Sequence, residues 1–147
     1  MGVVYIPLAN EIYCAQQDLD VATLNQEPIK VSSVDSLSEA TFACDWIPYN
    51  LERRKDMIRW LDVISQHVRQ IKSLGSTASD LASLAAGRID IYLNPGVKPW
   101  DLAASTFIVE KAGGTVTTPS GKPWDVFNSD ALVTNSLLHA KMLEFTR

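Results

Sequence analysis

The sequence predicts an α/β fold with partly parallel strands, and three observations lead there. From Ile71 onward, short apolar runs alternate with longer helical patterns, and such alternation builds crossover units whose strands are partly parallel. The amino-terminal stretch holds two strand-like runs joined by a brief polar connection, the pattern of a hairpin. A length of 147 residues with 46% hydrophobic content supports one domain over residues 1–147 with a real core.

The elements follow in order. VVYIPL is a strand, and EIYCAQ is its hairpin partner after a short LAN connection. Residues 18–28 are polar and rich in turn formers, PIKVS is a short strand, VDSLSEA connects, and TFACDWIPYN is a strand running into a loop. LERRKDMIRWLDVISQHVRQ is the clearest long helix, because Met57, Ile58, Leu61, Ile64 and Val68 recur at helical spacing. IKSLGS is a strand feeding a turn. STASDLASLAAGRID is a helix of small residues that closes near Gly87 and can lie close to a neighbour. DIYLN is a strand, and the stretch PWDLAASTFIVEKAGG that follows organises the whole sequence. Leu102, Ala103, Phe107, Val109 and Ala112 make it a buried helix, started by Pro99 and stopped by Gly113 and Gly114. TVTTPSGKPWDVFN gives a strand and a Gly/Pro-rich turn, ALVTN a strand, and SLLHAKMLEFT a final amphipathic helix.

Composition excludes several classes of function. A net charge of −4 with a sequence pI near 5.1 and no basic cluster argues against a nucleic-acid binder. No apolar run reaches the roughly 20 residues of a bilayer span. Met1 to Val4 lacks the basic region and cleavage site of a signal peptide, so the expected location is cytoplasmic. Cys14 and Cys44 show no metal or redox spacing and read as small apolar residues on strands. His67 and His139 read as exposed helical residues without a catalytic role, and Trp100 as a packing anchor. The second Trp-Asp pair, Trp124 and Asp125, lacks a following helix and reads as loop. There is no Walker-type glycine loop and no nucleophile motif.

Asp101 falls in the first turn of the organising helix, where the helix dipole favours a negative side chain by roughly 0.3 to 1 kcal/mol. That position also suits a metal ligand. Ser76 or Thr77 can cap the small-residue helix, and backbone N–H groups at its start are available to a ligand's oxygens. Lys98 reads either as a solvated loop lysine or as a neighbour of an anionic substrate.

At these residues the sequence resembles the inositol monophosphatase family, magnesium-dependent and lithium-sensitive phosphomonoesterases. Trp100, Asp101, Ala103, Ala104, Ser105, Phe107, Ile108, Val109, Gly113 and Gly114 fit its W-D-x-A-A-small…G-G signature. GSTASDLASLAAGRID is similar to its G-S/T-A-A…L…A-x-G-x-x-D segment. GVVYIPLANEIYCA is similar to a segment from the middle of family members, G-V-(I/V)-Y-x-P…E-(L/I)-Y-x-A. The resemblance implies that Asp101 is a ligand of catalytic magnesium and that Gly75, Ser76 and Thr77 border the alcohol portion of the substrate. Asn94 stands where several members carry a glutamate that contacts a substrate hydroxyl. An amide there still donates and accepts hydrogen bonds but gives no charge-assisted one.

The family draws most of its metal ligands from a helical glutamate and a D-P-x-D-G-T segment, and this sequence contains neither. The resemblance therefore covers nearly all of the 147 residues and about the second half of the family. It implies α/β/α layers around a mixed sheet and the carboxy-terminal portion of a phosphatase for a phosphorylated sugar or polyol, inactive alone unless a partner supplies the missing ligands. The alternative is a binding or assembly module that kept the fold. The first strand would pair within the absent part, so an open edge favours a homo-oligomer or a partner protein.

Overall fold

The computed structural model describes residues 1–46 and 50–146. Its first sheet is an antiparallel meander, β1 (Gly2–Ile6), β2 (Glu11–Ala15), β3 (Ala22–Leu24) and β4 (Glu27–Ile29), in that spatial order. The expected hairpin is β1 and β2, turned by Asn10 in the left-handed region at φ 52°. The β3–β4 hairpin lies in the polar stretch 18–28, where no strand is expected. Its turn residues Asn25 and Gln26 both have positive φ, 50° and 75°, as a tight hairpin demands, but Asn-Gln lacks the glycine that usually marks such a turn. The strand expected at PIKVS correspondingly ends at Ile29.

The second sheet has five strands, β5 (Thr41–Ala43), β6 (Gln70–Lys72), β7 (Ile91–Pro95), β8 (Thr115–Thr117) and β9 (Asp130–Thr134), in the order β6-β5-β7-β9-β8. β6, β5 and β7 are parallel, whereas β9 runs antiparallel to both β7 and β8, so the sheet is mixed as expected. Four helices are described: α1 (Leu51–Ile64), α2 (Thr77–Ala85), α3 (Pro99–Lys111) and α4 (His139–Thr146).

Side chains alternate across β7 and so assign the layers. Ile91 and Leu93 point to one face, where Met57, Trp60 and Ile64 of α1 and Met142 of α4 pack. Tyr92 points to the other, into a core shared with Leu81 and Leu84 of α2, Leu102 and Val109 of α3, and Tyr13 and Val4 of the first sheet. The expected α/β/α layers are therefore present, with the meander adding a further layer outside α2 and α3.

Several local expectations need correction. α1 ends at Ile64 rather than near residue 70, and Ile58 on its outer side is exposed. Trp100 is 77% exposed and anchors nothing, because the second position of α3 faces away from both sheets. His139 is only 8% exposed: its ring lies between Thr117 and Thr134, each 3.0 Å from a ring nitrogen, and burial lowers its pKa. His67 is exposed as expected, stacked on Phe145 at 4.9 Å. Cys14 lies on β2 and Cys44 is buried one residue past β5, both as free thiols. The loop expected after β5 includes Ile47, Pro48 and Tyr49, which lie outside the described residues.

Glycine follows the ends of both α2 and α3. In α3, Gly113 N–H donates to the Glu110 carbonyl and Gly114 N–H to the Val109 carbonyl, with Gly113 at φ 91°. Gly114 has no room for a side chain: a Cβ there would sit 2.4 Å from Val109 Cγ1 and 2.8 Å from the Thr134 carbonyl oxygen. Gly75 also has positive φ, at 77°, but a Cβ there would meet nothing within 4 Å. Gly114→Ala should therefore cost about 1–3 kcal/mol through overpacking, and Gly75→Ala about 1 kcal/mol through backbone strain alone. Urea denaturation of both variants checks the order.

Candidate functional site

A cavity of about 940 Å³ opens beyond the carboxyl ends of the parallel strands β6, β5 and β7. Open α/β sheets place ligands there, because loops leaving neighbouring strands diverge and helices begin beside them. Asp45 follows β5, Ser73 and Gly75 follow β6, and Asn94 and Gly96 stand at the end of β7. The N-cap residues of three helices also line it: Asn50 of α1, Ser76 of α2 and Lys98 of α3. Aligned peptide dipoles thus bring partial positive charge to the cavity from three directions, which favours an anionic ligand.

All six residues singled out in the sequence, Gly75, Ser76, Thr77, Asn94, Lys98 and Asp101, line this one cavity. Ser76 is the N-cap of α2 and accepts from Ser79 N–H at 3.4 Å. Thr77 instead turns its hydroxyl toward Asp45 and Tyr92. Asp101 sits in the first turn of α3, half-buried, and Lys98 is exposed at the rim.

Sequence reasoning misses three contributors. Asp45 is held by Gly75 N–H at 3.1 Å on Oδ1, and by Thr77 Oγ1 and Tyr92 Oη at 3.2 Å each on Oδ2. Tyr92 also receives a hydrogen bond from Asn94 Nδ2 at 3.0 Å. Arg53, in sequence a member of a mixed-charge helix face, lines the cavity and pairs with Asp130 at 2.8 Å. Position at a parallel strand's carboxyl end is the available signal for Asp45.

Burial shapes the titration of this region. Tyr92 is fully buried, and desolvation together with the Asp45 charge raises its pKa well above the ordinary phenol value. Desolvation, then the charges of Asp45 and Asp80, push the Cys44 thiol up to about 12, so it is no nucleophile. Asp80, in α2, is completely buried and neither carboxyl oxygen has a hydrogen-bond partner. Burial, and secondarily Asp45, raise its pKa to about 7.

Magnesium takes a near-octahedral shell of oxygens. Among the described residues, no group of three or more His, Cys, Asp or Glu side chains is placed to hold a metal ion. Both oxygens of Asp45 are engaged, Oδ1 by Gly75 N–H and Oδ2 by the Thr77–Tyr92 hydroxyl pair, which leaves Asp101, among the described residues, as the one uncommitted carboxylate on the cavity wall. The described residues do not fit a self-sufficient magnesium site.

A mixed sheet with three helix starts around one cavity describes an α/β protein with an anion-favouring cleft. The whole chain, residues 1–147, matches the family model for the inositol monophosphatase family, and the chain belongs to that family. It is 37% identical over 146 residues to an inositol-1-monophosphatase of Synechocystis sp., covering 97% of this chain and 49% of the relative. It is 32% identical to a fructose-1,6-bisphosphatase/inositol-1-monophosphatase of Thermotoga maritima, covering 98% of this chain and 54% of that protein. Among solved structures, the extragenic suppressor protein suhB from Bartonella henselae superposes with a TM-score of 0.91 at 27% identity, covering 99% of this chain and 55% of that one. The chain thus spans about half the length of the relatives it matches. None of its described helices is long and apolar enough to cross a membrane.

Asp80 makes stability depend on pH. Its folded-state pKa of about 7 exceeds the ordinary 3.8, so the folded state holds the proton more tightly and stability from this group is lost as pH rises from about 4 to 7. Asp80→Asn removes the dependence. Its stability advantage should grow across that window by at least about 1 kcal/mol and stay level above it, measured by urea denaturation at several pH values.

Proposed function

We propose that this chain is the carboxy-terminal portion of a magnesium-dependent phosphatase for a phosphorylated sugar or polyol. The observation that carries the reading is the meeting of Asp101, the turn at residues 75–77, Asn94 and Lys98 on one cavity at three helix starts. In this reading a completed site would hold magnesium in part through Asp101, and the ion would supply Lewis-acid activation there. Asp101 contributes one carboxylate toward that site. Gly75, Ser76, Thr77 and Asn94 meet the alcohol portion of the substrate, and Lys98 offsets negative charge at the rim. The names of relatives point to inositol phosphates or fructose bisphosphate as members of the substrate class.

The same reading makes the chain catalytically incompetent alone. A single carboxylate attracts a cation with only about 1 kcal/mol per unit charge at 4 Å in water. The remaining metal ligands have to come from a second polypeptide or from sequence beyond this stretch.

The second reading, an assembly module, is favoured by one feature. β1 is the outermost strand of its sheet, and its outward residues Val3 and Tyr5 are 46% and 53% exposed, beside exposed Ile12 on β2. Such an edge and face invite self-association or a partner protein. The expected location remains the cytoplasm, with no nucleic-acid or membrane partner.

Phosphate release from a panel of phosphomonoesters with magnesium tests the main reading. The chain should release no more phosphate than Asp101→Asn. Paramagnetic Mn²⁺ should nevertheless broaden the Asp101 amide resonance in the native chain and not the corresponding resonance of Asp101→Asn. Turnover by the chain alone that depends on Asp101 would overturn the incompetence, and broadening that ignores the substitution would remove Asp101 as a ligand. Light scattering at micromolar concentration reads the assembly state, and a clean monomer would sink self-association.

A further inference from the structure

The cavity wall contains a closed hydrogen-bond system whose proton count fixes the polarity it shows to a ligand. Asp45, Thr77, Tyr92 and Asn94 are its members. A carboxylate only accepts, and the Thr77 and Tyr92 hydroxyls bring one proton each. Those oxygens lie 2.8 Å from one another and 3.2 Å each from Asp45 Oδ2. Whichever hydroxyl gives its proton to Asp45, the short contact between Thr77 and Tyr92 uses the other. Tyr92 then has no proton left for Asn94, so the amide must donate to it through Nδ2, as the 3.0 Å bond records. The other end of that amide, Oδ1, remains the acceptor without a partner, on a side chain only 5% exposed that lines the cavity.

We propose that Asp45 is a specificity-determining positioning residue: acting through Tyr92, it fixes Asn94 with its covered carbonyl oxygen as the unpartnered end, so a ligand that reaches this point is selected for a hydroxyl donor. The inference deepens the reading of the cavity as a polyol site and rests on it for the identity of the ligand. Asp45 does this without touching the reacting atoms. Its charge makes it an obligate acceptor, and an amide in its place breaks the count. In Asp45→Asn the new NH₂ can donate to Thr77 or Tyr92, which returns a proton to the Tyr92–Asn94 contact. The Asn94 amide can then turn over and present donors instead.

Nuclear magnetic resonance on the whole chain reads both halves of the claim. In the native chain the Asn94 side-chain NH₂ should show nuclear Overhauser contacts to the Tyr92 ring protons beside the hydroxyl. In Asp45→Asn those contacts should weaken or vanish while the rest of the amide spectrum stays folded. Titration with myo-inositol and with its fully O-methylated ether, which has no hydroxyl donor, should give about tenfold tighter binding of the free polyol, the equivalent of one lost hydrogen bond. Asp45→Asn should shrink that preference to about twofold or less. Asp45→Glu, which keeps an acceptor-only group, should restore the amide orientation if its longer arm still reaches Tyr92. Native contacts and native preference persisting in Asp45→Asn would overturn the proposal. If the native chain bound neither polyol, the reading of the cavity would fall by itself, and the Asn94–Tyr92 contacts alone would decide the role of Asp45. Should Asp45→Asn fail to fold, Tyr92→Phe removes the same link, and unchanged Asn94 orientation and preference there would be equally decisive against it.

Discussion

The cavity depends on the alignment of β5 with β7, and that alignment is set by Asp90. This residue, 5% exposed, accepts from Thr41 N–H at 2.6 Å and returns its own N–H to the Thr41 carbonyl at 3.0 Å. The Ser32 hydroxyl bonds to its other carboxyl oxygen, and Asn135 bonds to Ser32 in turn. A buried carboxylate is tolerable only with such donors around it. The connection pins the amino-terminal ends of two parallel strands, and their carboxyl ends carry Asp45 and Asn94. Sliding β5 by one residue would turn Asp45 away from the face shared with Tyr92, because strand side chains alternate. The aspartate of the A-x-G-x-x-D pattern is therefore a structural clamp whose effect is felt at the opposite end of the strands.

α3 transmits a second constraint. It lies between the two sheets, so its surface is buried on more than one side, and it carries Ser105 and Thr106 in the interior. Both hydroxyls bond back to helix carbonyls, Ser105 to Asp101 and Leu102, Thr106 to Leu102 at 2.8 Å, so burial leaves neither hydroxyl stranded. Close approach is then permitted at both ends of the layer by glycine. A Cβ on Gly2 would come within 2.9 Å of the Ala104 carbonyl oxygen, and Gly114 is tighter still. The fixed seat of this helix determines where Asp101 stands relative to the start of α2.

Much of this is legible from residues. Strand–helix alternation predicts the mixed sheet and its parallel part, and the signals of Pro99, Gly113 and Gly114 bound α3. Gly87 likewise marks the end of α2. The six residues singled out come from motifs that resemble the family, and they line one cavity. What stays hidden depends on contacts between distant segments. Asp45 is an ordinary acid in sequence, and only the pairing of β5 with β7 brings it to Tyr92. His139 reads as exposed because helical position alone cannot show that β8 and β9 cover it. Trp100 reads as buried because its size suggests a core, whereas its place on α3 points it outward. The β3–β4 hairpin escapes notice because Asn25 and Gln26 adopt positive φ without glycine.

The electrostatics of the cavity divide it into two functions that one residue type could not serve. Three helix starts and Lys98 favour negative charge in the ligand, while Asp45 and the orphan carbonyl of Asn94 favour hydrogen-bond donors. A phosphorylated polyol has both an anion and neutral hydroxyl donors. Asp45 is already met by Gly75 N–H on one oxygen and by the Thr77–Tyr92 hydroxyl pair on the other, so its field is turned inward. Asp101 lacks such partners among the described residues and keeps its negative charge toward the open space. In the reading proposed above, a divalent cation beside Asp101 would reconcile this carboxylate with an otherwise anion-attracting wall. Among the described residues no second uncommitted carboxylate lines the cavity, so on that reading the remaining ligands would come from outside them.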